Sequence, residues 1–184
     1  MHVSLDGFVC GPQDEMDWCT MEDEKMGAFL ADDLLKTVDT MLVGRKLYQG
    51  FEQYWPSVPE NPASPPELIA FANWMADTSK VVFSRTLQEV HWKNSILATS
   101  DPKKTVEQLK NQPGGDMVIF GGASTSAYFA GQGLIDEYRI KLEPYILGKG
   151  KSLYAEIPQR VQLNLIKSKA FDSGVAVLYY QVKK

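Results

Sequence analysis

Three apolar runs in this chain each stop at a polar corner: Met41-Leu42-Val43 at Gly44-Arg45-Lys46, Val81-Val82-Phe83 at Ser84-Arg85-Thr86, and Val118-Ile119-Phe120 at Gly121-Gly122-Ala123-Ser124. Short apolar runs bounded in this way read as buried strands. In α/β sheets such strand ends are where phosphorylated ligands bind. A nucleotide site at these corners is the leading expectation.

The rest of the chain fits a folded enzyme-sized globule. Its 184 residues suffice for one domain, expected over residues 1–184, with a full core and no need of disulfides or metals. With 44% hydrophobic and 23% charged residues it has the composition of an ordinary globular protein. A net charge of −4 gives no basic footprint for a polyanion, so any phosphate must be held by a few local cations, and nucleic acid is not expected as a partner. Cys10 and Cys19 lie too far from any His cluster for a zinc pattern, and read as reduced thiols of a cytoplasmic protein. No run of about 18 apolar residues is present and no secretory leader opens the sequence, so no membrane partner is expected. The first apolar stretch begins almost at residue 1, which leaves room for a first strand lacking residues at its start.

Along the chain, Val3 to Val9 reads as a short β segment broken by Gly7, Gly11 and Pro12 into a loop reaching Trp18. Met26, Phe29, Leu30, Leu34 and Val38 follow one helix face, with Glu22, Asp23 and Glu24 near its start favouring the helix dipole. Ser64-Pro65-Pro66-Glu67 has the pattern of a capping box with Pro in the first turn, ahead of a stripe of Leu68, Phe71, Ala72 and Met75. Asp101-Pro102 should cap a helix that buries Val106 and Leu109 and stops at Pro113-Gly114-Gly115. A short strand over Asn94–Ala98 and a helix over Thr125–Ala130 fill the gaps. Tyr138, Ile140 and Leu142 alternate with Arg139, Lys141 and Glu143, the period of a strand with one wet face. Val161, Leu163 and Leu165, a turn at Asp172-Ser173-Gly174, and Val175 to Val182 predict a closing antiparallel hairpin. Strand and helix alternation followed by a hairpin predicts an α/β fold with a mixed, mainly parallel sheet and helices on both faces. The Pro-rich stretch Pro56 to Pro66 reads as a long loop, or a flap beside a site.

Gly44-Arg45-Lys46 puts a fork-shaped and a point cation beside the free N–H groups of a helix start, suited to a diphosphate or ribose phosphate; the alternative is a solvated helix start. Ser84-Arg85-Thr86 offers two hydroxyls and a guanidinium, suited to a monoester phosphate, or else forms a surface turn. An Arg without an adjacent acid at this corner leans toward NADPH rather than NADH. Gly121-Gly122 removes two side chains where a backbone passes close to something, with Ser124 and Thr125 at the following helix start; a ligand-free tight turn is the alternative. Asp6, where the first strand opens into a loop, is either a proton or substrate residue or the cap of its own turn. Trp18, Trp55 and Trp74 line a pocket or belong to the core. Leu147-Gly148-Lys149-Gly150-Lys151-Ser152 ends like a P-loop but carries Tyr145 where the first Gly belongs, which excludes that chemistry. His2 and His91 have no Cys or acid at catalytic spacing and read as surface or loop residues.

Taken in order, Ser4-Leu5-Asp6-Gly7-Phe8, Met16-Asp17-Trp18, Leu42-Val43-Gly44-Arg45-Lys46, Val82-Phe83-Ser84-Arg85-Thr86-Leu87, Gly121-Gly122-Ala123, Gly133-Leu134-Ile135-Asp136-Glu137-Tyr138, Pro144-Tyr145-Ile146-Leu147-Gly148-Lys149-Gly150 and Phe171-Asp172-Ser173-Gly174-Val175 resemble the dihydrofolate reductase-like superfamily. Within it, the chain is similar to the family of the C-terminal reductase domain of the bifunctional riboflavin-biosynthesis protein. The resemblance covers nearly the whole chain. It implies a three-layer αβα sandwich binding NADPH along the strand ends, and a homodimer. It also implies hydride transfer to a small heterocycle or a ribosylamino-pyrimidine such as 5-amino-6-(5-phosphoribosylamino)uracil.

In the family's pattern Gly44, Arg45 and Lys46 correspond to the adenosine-phosphate and diphosphate corner, Ser84 and Arg85 to the 2′-phosphate corner, and Gly121 to Thr125, through Gly122, Ala123 and Ser124, to the diphosphate loop. Thr86 completes the second corner, and Asp6 is the residue expected to supply or relay a proton. Two departures stand out. The riboflavin reductases carry an acid before their paired small residues where this chain has Phe120, and its Gly44-Arg45-Lys46 corner is closer to dihydrofolate reductases. The alternatives to a pyrimidine reductase are a dihydrofolate reductase-type or other reductase, and a nucleotide-sensing homologue without turnover.

Overall fold

The computed structural model describes residues 1–20 and 23–183, in two compact units: residues 1–28 with 123–184, and residues 29–122. Glu22, counted above among the acids of the first helix, lies outside the described residues.

The unit of residues 29–122 is built on a parallel sheet. Its strands are β3 (Val38–Gly44), β4 (Ser79–Phe83), β5 (Ser95–Ala98) and β6 (Asp116–Phe120), in the order β5-β4-β3-β6. Every neighbouring pair is parallel, and β3 and β4 hold Met41, Leu42, Val43, Val81 and Val82 almost without exposed surface. Helices α2 (Arg45–Tyr54), α3 (Pro66–Asp77) and α4 (Pro102–Lys110) connect them, with a short 3-10 turn over Trp55–Ser57. The core packs Met41, Val43, Tyr48, Met75, Val82 and Trp92 together. Trp55 and Trp74 join it through Phe71, whose ring lies 5.2 Å from Trp55 and 5.3 Å from Trp74, so these two tryptophans are core residues. In the Pro-rich stretch Val58 is buried.

Helix starts follow local chemistry. Asp101 caps α4 by accepting from the N–H groups of Lys103 and Lys104, as its position before Pro102 predicts. The capping box at Ser64 does not form. Pro65 is the N-cap of α3, in extended conformation and without a side-chain cap, because a residue preceding proline is pushed out of the helical region.

The other unit carries a mixed sheet of β1 (His2–Ser4), β7 (Glu137–Glu143), β10 (Ala176–Val182) and β9 (Leu163–Ala170) in the order β1-β7-β10-β9. β1 is parallel to β7, and the rest is antiparallel, including the β9–β10 hairpin turned at Gly174, whose φ of +86° needs glycine. Val3 to Val9 is not one strand. Gly7, at φ +87°, turns the chain between β1 and β2 (Phe8–Cys10), which pairs with β8 (Lys151–Ser152). One face of the mixed sheet is apolar, with Val3, Tyr138 and Ile140 packed on Val9, Cys10 and Leu153. Helix α5 (Ala123–Gly131) buries Ala127, Phe129 and Ala130 in the same unit. Helix α1 (Glu24–Thr37) leads from this unit into the parallel one.

Cys10 and Cys19 are free thiols. Among the described residues no helix is long and apolar enough to cross a membrane.

Candidate functional site

Parallel pairing puts the carboxyl ends of β3, β4 and β6 on one rim. Gly44 stands opposite Phe83, and Val43 opposite Phe120, so the corners following these strands are neighbours. Arg45 and Lys46, Ser84 to Thr86, and Gly121-Gly122 therefore share the carboxyl edge of one sheet. Ala123, Ser124 and Thr125, the remaining corner residues named from sequence, form the first turn of α5.

At the β3 corner, Gly44 is the N-cap of α2 and offers no side chain to cap its first turn. Arg45 and Lys46 are exposed, and Arg45 reaches only Gln49, at 3.4 Å. At the β4 corner the Ser84 hydroxyl oxygen accepts from the N–H groups of Thr86 and Leu87, at 3.1 and 2.9 Å. This turn holds Arg85 outward, exposed and in no ion pair among the described residues. At the β6 corner Gly122 is exposed, and a Cβ added there would meet no atom within 4 Å. Packing within the protein does not require a glycine at that position. A helix start capped by a glycine, the exposed Arg45, Lys46 and Arg85 and an open Gly122 share one rim, an arrangement that suits the phosphates of a dinucleotide.

Phe120, which takes the place of the family's acid, packs its ring 5.9 Å from Phe51. Its side chain is part of an aromatic contact and brings no charge to the rim.

Asp6 is engaged differently. Its carboxylate accepts from the Ser4 hydroxyl at 2.7 Å and from the backbone N–H groups of Leu147 and Gly148 at 3.1 and 2.7 Å. The Ser4 hydrogen bond, and with it those backbone donors, holds the Asp6 carboxyl below its ordinary range. These contacts describe a carboxylate that ties the loop after β7 to the end of β1. A proton-relay role would have to act through a group already accepting three hydrogen bonds.

Two residues that local pattern did not mark form a second polar cluster in this unit. Glu143, expected on a wet strand face, has no exposed surface. Its Oε1 lies 2.6 Å from Nδ1 of His2, and its Oε2 accepts from the N–H of Thr20 at 3.2 Å. His2 is thus not a surface histidine. Burial, and then the Lys141 ammonium 3.1 Å from its Nε2, lower its pKa to about 4. Burial and the Glu143 carboxylate raise the Cys19 thiol to about 11. His91 is exposed beside Glu89. The signal for Glu143 was long-range, since the segment ending at Thr20 covers that end of the sheet. Trp18, in the same segment, is buried and donates from its indole N–H to the Glu15 carbonyl.

Comparison with known proteins bears on both units. The family described as the RibD C-terminal domain matches residues 1–177. The uncharacterised protein YyaP of Bacillus subtilis (strain 168) is 38% identical over 178 residues, covering 97% of this chain and 90% of YyaP. A putative riboflavin biosynthesis protein from Shewanella sp. PV-4 superposes with a TM-score of 0.72 at 23% identity, over 100% of this chain and 97% of that one. A dihydrofolate reductase from Enterococcus faecalis, solved with NADP(H), superposes with a TM-score of 0.60 at 14% identity, over 100% of this chain and 94% of that one. At such identities the structural likenesses establish the fold, which is dihydrofolate reductase-like.

Proposed function

The chain belongs to the RibD C-terminal domain family, and from that premise we propose that it is an NADPH-dependent reductase of a small heterocycle or ribosylamino-pyrimidine. The observation that carries this reading is the shared rim, where the corners after β3, β4 and β6 bring exposed Arg45, Lys46 and Arg85 and the open Gly122 to one sheet edge. When bound, NADPH supplies the hydride delivered to a C=N or C=O bond. Arg85, with the Ser84 and Thr86 hydroxyls beside it, binds the 2′-phosphate. Arg45, Lys46, the first N–H groups of α2 and the Gly121–Thr125 turn bind the diphosphate and the adenosine side. Asp6 orders the loop after β7 and passes a proton through water at its carboxylate edge.

Fluorescence titration with NADPH and NADH tests this. Tighter binding of NADPH is expected, and equal or absent binding of both overturns the reading. Arg85→Ala should cost NADPH about tenfold or more in affinity while barely changing NADH, as expected for the loss of one charged phosphate contact. An unchanged ratio removes Arg85 from the phosphate.

The aromatic Phe120 in place of the family's acid favours one second reading, a nucleotide-sensing homologue without turnover. NADPH oxidation assayed with the riboflavin pyrimidine intermediate and with dihydrofolate separates the two. Binding without rate on either compound leaves the sensor or a reductase of another heterocycle.

The proposal extends to a homodimer in the cytoplasm. β9 is an edge strand with Leu165 and Ile166 exposed, the kind of edge a second copy covers, and two free thiols suit a reducing compartment. Light scattering at a monomer mass sinks the dimer.

A further inference from the structure

The polar face of the mixed sheet grips a single residue from two sides. Glu143 Oε2 accepts from the N–H of Thr20 at 3.2 Å, and Lys141 Nζ donates to the carbonyl of Thr20 at 3.4 Å. His2, opposite Lys141 in the β1–β7 register, stands between the two gripping groups, 2.6 Å from the carboxylate and 3.1 Å from the ammonium. With Nε2 accepting from Lys141, the imidazole is neutral and donates from Nδ1, which fixes both partners. We propose that His2, Glu143 and Lys141 form a part-buried latch that clamps Thr20, and with it the Gly11–Thr20 segment and the Cys19 thiol, against the mixed sheet.

Three observations support a latch rather than an incidental contact. Glu143 has no exposed surface while the segment is in place, and its Oε2 takes its donor from the Thr20 N–H, so lifting the segment breaks that bond and uncovers the carboxylate. The far end of the segment is tied down separately, by Asp14 to Lys151 at 2.5 Å and to the Cys10 thiol at 3.6 Å. Between these ties Trp18 is buried. The segment is thus held at both ends by side chains from strands more than a hundred residues away in sequence, Lys151 at one end and Lys141 with Glu143 at the other, and both ties use titratable side chains. The Met1 amine, Cys19, Asp17 and Asp23 also act on this cluster. The latch does not depend on the reductase reading, since it needs no ligand.

Cys19 reports the state of the latch. Lys141 by its charge favours the Cys19 thiolate, so removing that charge without opening the segment slows alkylation. Opening the segment speeds it. In the full chain, Lys141→Met is treated with iodoacetamide, with mass spectrometry separating Cys19 from Cys10, and hydrogen exchange is followed in parallel. The expected result is Cys19 alkylation about tenfold faster than in the unsubstituted chain, with exchange raised in residues 11–20 and unchanged in β10 and β3. His2→Ala, which keeps both grips but removes what orients them, should shift both readouts the same way by less. Slower or unchanged alkylation in both variants overturns the latch, as does exchange that rises equally in every strand.

Discussion

In the parallel sheet the charged groups at the carboxyl rim, Arg45 and Arg85, are exposed and meet almost nothing of the protein, whereas in the mixed sheet the carboxylates of Asp6 and Glu143 each accept from several neighbouring groups. Both regions place polar residues at or next to strand ends. The difference is whether the fold itself supplies the partners. A carboxylate accepting from backbone N–H groups and a serine is holding a loop, while a guanidinium on its own turn is left facing solvent. The same contrast appears within one strand. β4 begins near a lysine that donates to three carbonyls and ends next to an arginine that pairs with none.

Lys80 therefore offers the sharpest way to break the contrast. It has no exposed surface, its Nζ donates to Met75, Ala76 and Thr78 carbonyls at 2.7, 3.1 and 2.6 Å, and it lies 4.3 Å over the Trp92 ring. Burial lowers its pKa to about 8, and the carbonyls and the ring face are what keep an ammonium there. Lys80→Ala takes the ammonium donor from the Met75 and Thr78 carbonyls, while that of Ala76 keeps Asn94; it also opens a cavity and should cost about 4 kcal/mol in denaturant unfolding. Arg85→Ala, five residues on, should cost less than about 0.5 kcal/mol. Similar losses at both positions would mean that the rim arginine is structural.

Glycines divide in the same way. A Cβ at Gly150 would sit 2.3 Å from the Cys10 carbonyl oxygen and 3.1 Å from the Phe8 side chain. Backbone cannot yield as a side-chain tip does, so Gly150→Ala should cost about 3 kcal/mol and lower Tm by several degrees. A Tm within a degree of the parent would show that β2 and β8 can part without loss.

These two positions also mark the limit of what is legible in sequence. The parallel strands, their corners, the Asp101 cap and the turn at Gly174 follow from apolar runs and turn residues that act over a few positions. Gly150 was visible only as the tail of a failed phosphate-loop pattern, because its reason is the Cys10 carbonyl, 140 residues away in the chain. Glu143 looked solvated because alternation describes a strand and not what later covers it. Nothing in the local pattern singled out Lys80, since the carbonyls it satisfies are defined only once α3 ends. Among the candidate site residues, local pattern marked the corners that share the carboxyl rim of the parallel sheet, whereas the Leu147 and Gly148 donors to Asp6 lie 141 and 142 residues away and left no local trace.

His2 carries the next effect, read in pH. Its folded-state pKa of about 4 lies below the ordinary 6.5, so between those values the unfolded chain binds the proton and the folded chain does not. The stability it contributes is whole above pH 6.5 and is lost as pH falls toward 4, with a span on the order of 3 kcal/mol at most. Urea unfolding across that window should show the slope, and His2→Gln should flatten it. A slope unchanged in His2→Gln would place the titrating group elsewhere.

The smallest effect belongs to Gly122, and it is the one that tests the comparison from the rim side. Nothing in the protein approaches the position where its Cβ would be, and its φ is not in the left-handed region, so Gly122→Ala should leave stability within about 0.5 kcal/mol. If the open space there is used by the diphosphate, the added methyl weakens NADPH severalfold by displacing it from the backbone N–H groups, at an unchanged Tm. A lowered Tm would mean that the glycine serves the fold after all. An unchanged Tm with unchanged NADPH affinity would take the diphosphate off this corner and leave Arg45 and Arg85 to account for cofactor binding alone.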